Sequence, residues 1–256
     1  TFLILYSGAT NFYLDNPREV IDVLPVAKPS VMCTVPRFFE KTYEGIQAEK
    51  EKWPGYKQKI FNWSIKVGSR VSEKKKDALP IPAGLKFRHT IAEKLVLGKL
   101  RMIFGGNMRT TPCSGAALPQ HLLKFFHATG LFVNYGYGAT ETTATVSCFK
   151  TDVYEFESVG TIMPELEVKI GEENEIMVKG KTVFAGYYKK PEATAAVLVD
   201  GWYKTGDEGA ITASGNLLMT DRIRDLMKTS VGKYISPQKI ETLLGQDPLI
   251  EQVVTI

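Results

Sequence analysis

Past Val159 the chain changes its rhythm. Upstream, apolar residues recur at steps of three and four; downstream, short runs alternate, as in Glu175-Ile176-Met177-Val178-Lys179, and Gly171, Gly180, Gly186 and Gly201 punctuate them. A period of two puts every second side chain on one face, which suits a half-buried strand and not a helix. The sequence therefore predicts an α/β fold in three pieces. These are a large αβ portion over 1–158, a β-rich, distorted barrel-like subdomain over 159–223, and the start of a small α+β C-terminal domain over 224–256. About 30 residues rarely fold alone, so that last piece reads as a domain cut short.

Within the first piece, Ser30 to Val35 is short, apolar and β-branched between Pro29 and Pro36, which predicts a buried strand. A helix is expected from Arg37 to about Lys52. Ile60, Trp63, Val67 and Val71 share one helical face, with Lys59, Lys66, Arg70 and Lys74 mostly off it. A solvated basic face on a docked helix is the ordinary reading. A peripheral membrane contact, aided by Trp53, is the sharper one. Pro80-Ile81-Pro82 marks a loop, and a helix from Ile91 to Phe104 should end at Gly105-Gly106. Strands are expected at 108–113 and 131–133, flanking a helix that begins near Pro119. Near the end, a small β-like element precedes a helix over 237–244.

Several classes of function are excluded by composition. The chain has 32 basic and 28 acidic side chains, a formal charge of +4 that does not call for a nucleic-acid partner. Cys33, Cys113 and Cys148 are too few and too scattered for a disulfide framework or a zinc knuckle, which favours a reducing cytoplasm. His89, His121 and His127 form no metal-ligand pattern. No apolar run approaches the roughly 20 residues needed to span a bilayer. The opening at Thr1, without a methionine, suggests that preceding sequence has been removed.

Chemistry concentrates in Asn134-Tyr135-Gly136-Tyr137-Gly138-Ala139-Thr140-Glu141, a strand exit with two glycines, a hydroxyl and a carboxylate. Glycine lets backbone approach a ligand while Thr140 and Glu141 present oxygen at its edge. Alone, this could be a turn capped by Thr140. It is followed, however, by Tyr203-Lys204-Thr205-Gly206-Asp207 and by Asp221-Arg222-Ile223-Arg224-Asp225. In that order the set resembles the core motifs of the AMP-forming adenylating superfamily, which includes acyl-CoA synthetases, luciferases and peptide-synthetase adenylation domains. Ser114-Gly115-Ala116-Ala117-Leu118-Pro119 looks like its adenine-wall segment, and 175–180 through Gly186-Tyr187-Tyr188 like its linking motif. Val35-Pro36-Arg37-Phe38-Phe39-Glu40-Lys41 resembles the long-chain fatty acid branch.

The resemblance implies a reaction and a set of roles. ATP, a long-chain fatty acid and coenzyme A would become acyl-CoA, AMP and pyrophosphate through an acyl-adenylate. Tyr137 would pack on adenine, with Gly115, Ala116, Tyr135, Gly136 and Gly138 lining the nucleotide. Thr140 would hydrogen-bond an α-phosphate oxygen, and Glu141 would hold Mg²⁺, a hard ion suited to carboxylate and phosphate oxygens. Asp207 would accept both ribose hydroxyls, Arg222 would add a cation near ribose or α-phosphate, and Arg224 would lie at a domain hinge. The catalytic residues would thus be Thr140, Glu141 and Arg222. Neither a Ser/Thr/Gly-rich phosphate loop ending in Pro-Lys-Gly nor the late catalytic lysine occurs in these 256 residues, so the chain alone is expected not to turn over. A ligase for another carboxylate, a noncatalytic nucleotide- or lipid-binding module, and an unrelated αβ protein stay open as alternatives. The oligomeric state is not legible.

Overall fold

The structure, a computed structural model, describes residues 6–151, 154–223, 227–228, 234–235, 237–244, 250 and 253–255. Two compact units emerge, Thr1–Cys113 with His121–Asn134, and Ser114–Gln120 with Tyr135–Ile256. The first is mainly helical: α1 (Val20–Ala27), α2 (Pro36–Glu51), α3 (Gly55–Lys76), α4 (Ala83–Ala92), a π-helical stretch over Glu93–Leu97, α5 (Gly98–Met102) and α6 (Gln120–Ala128). Pro36 occupies the first turn of α2, where a missing N–H costs nothing.

Phenylalanines from several of these helices interlock. Phe39 meets Phe126 at 4.9 Å between ring centroids, Phe104 meets Phe126 edge-on at 5.8 Å, and Phe61 meets Phe125 at 6.5 Å. Each ring buried this way contributes about 1.5–3 kcal/mol of transfer free energy. Val67, Ala92 and Leu97 form a second buried group, against which Ile65 and Leu85 pack.

Three expectations for this unit need correction. Ser30 to Val35 makes only isolated parallel bridges, Val31 to Thr110 and Thr34 to Cys113, and no continuous strand. Pro29, Pro36 and Pro112 lack the N–H groups a longer ladder would use. The buried face of α3 is Phe61, Ser64, Val67, Gly68, Val71 and Ser72, whereas Ile60 and Trp63 remain 38% and 37% exposed. Small residues at 64, 68 and 72 let the helix approach its neighbours, which outweighs the greater apolarity of Ile60 and Trp63. The helix expected over 91–104 begins earlier, at Ala83, and passes through a π-helical turn where Glu93 pairs with Arg101.

The second unit is built on antiparallel strands. From β1 (Thr111–Cys113) and α6 the chain enters β2 (Val133–Tyr137), which begins later than residue 131 because the end of α6 takes Leu131 into its cap: the Leu131 N–H donates to the Phe126 carbonyl at 3.2 Å. Gly136 and Tyr137 pair with β3 (Ser147–Cys148), and β3 pairs with β4 (Thr161–Ile162). A curled five-stranded sheet follows: β5 (Leu166–Ile170), β6 (Glu175–Gly180), β7 (Leu198–Val199), β8 (Trp202–Ile211) and β9 (Leu217–Arg222), with α7 (Pro191–Val197) leading into β7. Strand β8 is the hub, flanked by β6 on one hand and by β7 and β9 along its length. The alternation that predicted strands is visible in the packing, since Ile176 and Val178 of β6 are fully buried with Val146, Val159, Leu217 and Tyr137. Short β10 (Met227–Lys228) and β11 (Tyr234–Ile235) pair, and α8 runs over Pro237–Leu244, as the sequence predicts. Among the described residues no helix is long and apolar enough to cross a membrane.

Candidate functional site

Strand β2 ends by delivering its motif to a tight turn. After Tyr137 the backbone of Gly138 runs so close to the loop ahead that a Cβ there would lie 1.4 Å from the Ala144 carbonyl oxygen, so only glycine fits. Thr140–Thr142 forms a 3₁₀ turn, fastened by the Thr142 hydroxyl, which lies 3.0 Å from both the N–H and the carbonyl of Ala139. Thr140 is exposed and Glu141 half-buried at the mouth of this turn.

A second acid arrives from the sheet. Thr205-Gly206-Asp207 lies where β8 leaves regular pairing: Gly206 has φ +73°, and the register with β9 shifts just beyond, between Glu208 and Gly209. Such irregularities turn a side chain away from the regular alternation. Three polar contacts hold the bend. Thr205 Oγ1 donates to the Ile176 carbonyl at 2.8 Å, the Asp207 N–H donates to Thr205 Oγ1 at 3.1 Å, and the Gly206 N–H donates to Glu175 Oε1 at 2.9 Å.

The two motifs meet. The Tyr137 hydroxyl donates to Asp207 Oδ2 at 2.5 Å, across 70 positions of sequence. Arg222, the cross-strand partner of Asp207, places Nε 3.5 Å from Oδ1 while its side chain remains 62% exposed. Asp207 itself is only 8% exposed, and both partners offset the cost of burying a carboxylate. Glu141 accepts the Tyr187 hydroxyl on Oε1 at 2.8 Å. Tyr203 connects the acids: burial, and then the Glu141 carboxylate, hold its phenol well above the usual range, with the charge of Asp207 acting in the same sense. Burial and the adjacent Asp207 likewise push the Tyr137 phenol upward. Both phenols are therefore neutral donors at any ordinary pH.

Of the residues the sequence singles out, Tyr137, Glu141, Asp207 and Arg222 thus belong to one cluster, and Thr140 adjoins it on the turn. Gly115 and Ala116 lie on an exposed segment that Tyr135 pins, since the Tyr135 hydroxyl accepts the Leu118 N–H at 3.2 Å and faces the Ala116 carbonyl at 3.5 Å. Gly136 is buried in the β2 and β3 pairing. The Tyr137 ring is 7% exposed and packs among Val146, Val159 and Leu217, so what it presents is chiefly its hydroxyl rather than an open face. Arg224 and residues 229–233 lie outside the described residues. Sequence reasoning missed Tyr187 and Tyr203 as partners of the acids, and Glu175 as the anchor of Gly206. Their signal, a tyrosine or acid within a recognised motif, does not say which way a hydroxyl points.

A curled sheet that gathers two acids, an arginine and three tyrosine hydroxyls has the fold of the adenylate-forming enzymes. The o-succinylbenzoate coenzyme A synthetase of Bacillus subtilis, solved with its acyl-adenylate intermediate, superposes with a TM-score of 0.64 at 20% identity, over 98% of this chain and 43% of that one. The same enzyme in complex with ATP and magnesium ion gives 0.63 at 20% identity, over 98% and 44%. The family model of AMP-binding enzymes matches residues 1–188, and the chain belongs to that family. A long-chain-fatty-acid–CoA ligase of Mycobacterium bovis is 33% identical over 98% of this chain and 41% of its own length. The long chain acyl-CoA synthetase 5 of Arabidopsis thaliana is 29% identical over 98% and 39%, and the long-chain-fatty-acid–CoA ligase 5 of Rattus norvegicus 33% over 96% and 36%. The chain therefore spans about two fifths of the length of the curated relatives it matches.

Proposed function

We propose that this chain is the nucleotide-holding part of an AMP-forming long-chain fatty acid CoA ligase. The observation that carries the reading is the convergence of Tyr137 and Glu141, from one motif, with Asp207, from another, on one cluster. In the overall reaction a fatty acid carboxylate oxygen attacks the α-phosphorus of ATP and the bond to the β-phosphate oxygen breaks, releasing pyrophosphate. The thiolate of coenzyme A then attacks the acyl carbon, and AMP leaves with the electrons of the acyl–oxygen bond.

Each residue has a physical reason for its role. Asp207 is a carboxylate, an acceptor-only group with two oxygens, the chemistry that a pair of ribose hydroxyls calls for. Arg222, mostly exposed, can turn its guanidinium to an α-phosphate oxygen, and Thr140 can donate its hydroxyl there. Gly115 and Ala116 leave room beside the base. For Mg²⁺ the donor set is a single carboxylate: among the described residues no group of three or more acids, histidines or cysteines converges. One carboxylate suits an ion that shares its shell with phosphate oxygens and water, and Glu141 is that acid. The ion would offset charge building on the phosphates.

Calorimetry with AMP tests the reading. We expect binding that D207N weakens by about tenfold, the loss of roughly one charge-assisted hydrogen bond. Wild-type protein that discriminates no nucleotide from buffer would defeat it. Acid preference and coenzyme A use are tested with a panel of acids on the longer protein of which the relatives' lengths give the scale.

The exposed Ile60 and Trp63 on α3, with Lys59, Lys66 and Arg70 on the same helix, favour a peripheral contact with an anionic lipid surface, where a fatty acid would be collected. Flotation with vesicles containing anionic lipid should exceed flotation with zwitterionic vesicles. Equal flotation would remove the contact.

A further inference from the structure

The turn that carries Glu141 is clasped along its length by the segment leaving β6. Thr143 Oγ1 donates to the Thr182 carbonyl at 2.7 Å, the Phe184 N–H donates to the Glu141 carbonyl at 2.7 Å, and the Tyr187 hydroxyl donates to Glu141 Oε1 at 2.8 Å. The first two contacts hold backbone. The third reaches the one acid of the turn. Tyr187 is itself anchored: its N–H donates to Thr194 Oγ1 at 2.9 Å, and its ring meets Phe184 edge-on at 4.9 Å. Phe184 in turn meets Tyr203 at 5.6 Å, so the segment is fixed to the central strand of the sheet.

A half-buried glutamate on a short turn can rotate about three side-chain bonds, and one that receives a cation works best when those rotations are already frozen. A phenol hydroxyl does this without cancelling the charge, and Tyr203, whose phenol also hydrogen-bonds Glu141, restrains the same carboxylate. We propose that Tyr187 is a positioning residue, whose hydroxyl fixes the orientation of the Glu141 carboxylate and so makes segment 181–188 part of the nucleotide site. This rests on the reading of Glu141 as the acid that faces the metal ion. In the ligand chemistry of hard cations such an arrangement parallels the hydrogen bonds that orient ligating carboxylates from behind.

The test measures ATP affinity by calorimetry in EDTA and again at saturating Mg²⁺, the ratio being the gain from the metal ion. We expect E141Q to abolish the gain. Y187F should reduce it three- to tenfold, keep metal-free affinity within twofold of wild type, and add nothing in the E141Q background. Y188F, altering an exposed neighbour, should match wild type. An unchanged gain in Y187F overturns the proposal, as does a loss of metal-free affinity together with a lowered melting temperature, which packing alone would cause. Should Y187F not fold, T194V, which removes the hydroxyl anchoring the Tyr187 backbone, must reduce the gain in the same sense; an unchanged gain there overturns the proposal too. A gain that survives E141Q shows instead that the reading of Glu141 is wrong, and the role of Tyr187 falls with it.

Discussion

Replacing Tyr137 with phenylalanine removes one oxygen and leaves the ring in its packing, so the substitution removes the hydroxyl's polar contacts, to Asp207 and to Thr205, and the double-variant comparison with Asp207 separates the first. The contact to Asp207 is a 2.5 Å hydrogen bond from a phenol to a carboxylate that is only 8% exposed. The distance lies at the short end for an O–H donor to an ionised acceptor, a class worth about 1.5–3 kcal/mol in folded proteins. The ring loses no contact with Val146, Val159 or Leu217, so no cavity contribution enters. Arg222, at 3.5 Å and largely solvated, compensates weakly. We therefore expect Y137F to destabilise the protein by about 1.5–3 kcal/mol in urea denaturation, with the slope against urea unchanged. D207N should cost a similar amount, and the double variant clearly less than the sum, giving a coupling of about 1–3 kcal/mol. Additive effects, or a Y137F loss below about 0.5 kcal/mol, would refute the inference that the two motifs are bonded to one another.

Three further outcomes follow from the same structure. Folding raises the phenol pKa of Tyr137, through burial and then Asp207, and of Tyr203, through burial and then Glu141; their contribution to stability is complete below the unfolded value of about 10 and is lost above it, so unfolding free energy should decline from about pH 10 upward, less steeply in Y137F. His127, pushed down to about 4 by burial and with Nε2 3.0 Å from the Val133 carbonyl, is held neutral; its contribution is complete above about 6.5 and is lost as pH falls towards 4, by up to about 1.4 kcal/mol per unit, an acid dependence that H127Q should flatten. Gly138→Ala should abolish nucleotide binding and lower the melting temperature by several degrees, because a Cβ 1.4 Å from a carbonyl oxygen forces the Glu141 turn to move; normal binding would contradict the close approach.

Much of the fold was legible because periodicity reports burial directly. Ile176 and Val178 alternate with partly exposed neighbours and lie at the centre of a sheet, and Pro237 marks the start of a helix that begins there. Periodicity failed on α3 for an identifiable reason. Ile60 and Trp63 are more apolar than Ser64 and Ser72, yet the helix buries the serines, since close approach between helices selects small side chains over hydrophobic ones. It failed again at Ser30 to Val35, where the apolar run was real but the prolines that flank it, with Pro112 opposite, removed the donors a strand requires.

The site divides along the same line. Gly138, Glu141, Asp207 and Arg222 sit in motifs whose order is informative, and the structure brings those motifs together through the Tyr137 and Asp207 bond and through Tyr203. What holds each acid was not legible. Tyr187 lies on a loop, 46 residues from Glu141, and a loop hydroxyl carries no period to say where it points. Yet both acids share one solution: each is bonded by a tyrosine hydroxyl contributed from a different segment, Tyr137 to Asp207 and Tyr187 to Glu141. A phenol stays neutral while it donates, so it can restrain a carboxylate without cancelling the charge that a ribose or a cation must find there. A lysine in either place would restrain the acid equally well and neutralise it. On that argument Y137F and Y187F should loosen the site while leaving its charge intact, whereas D207N and E141Q remove the charge, and salt dependence of nucleotide affinity should distinguish the two pairs.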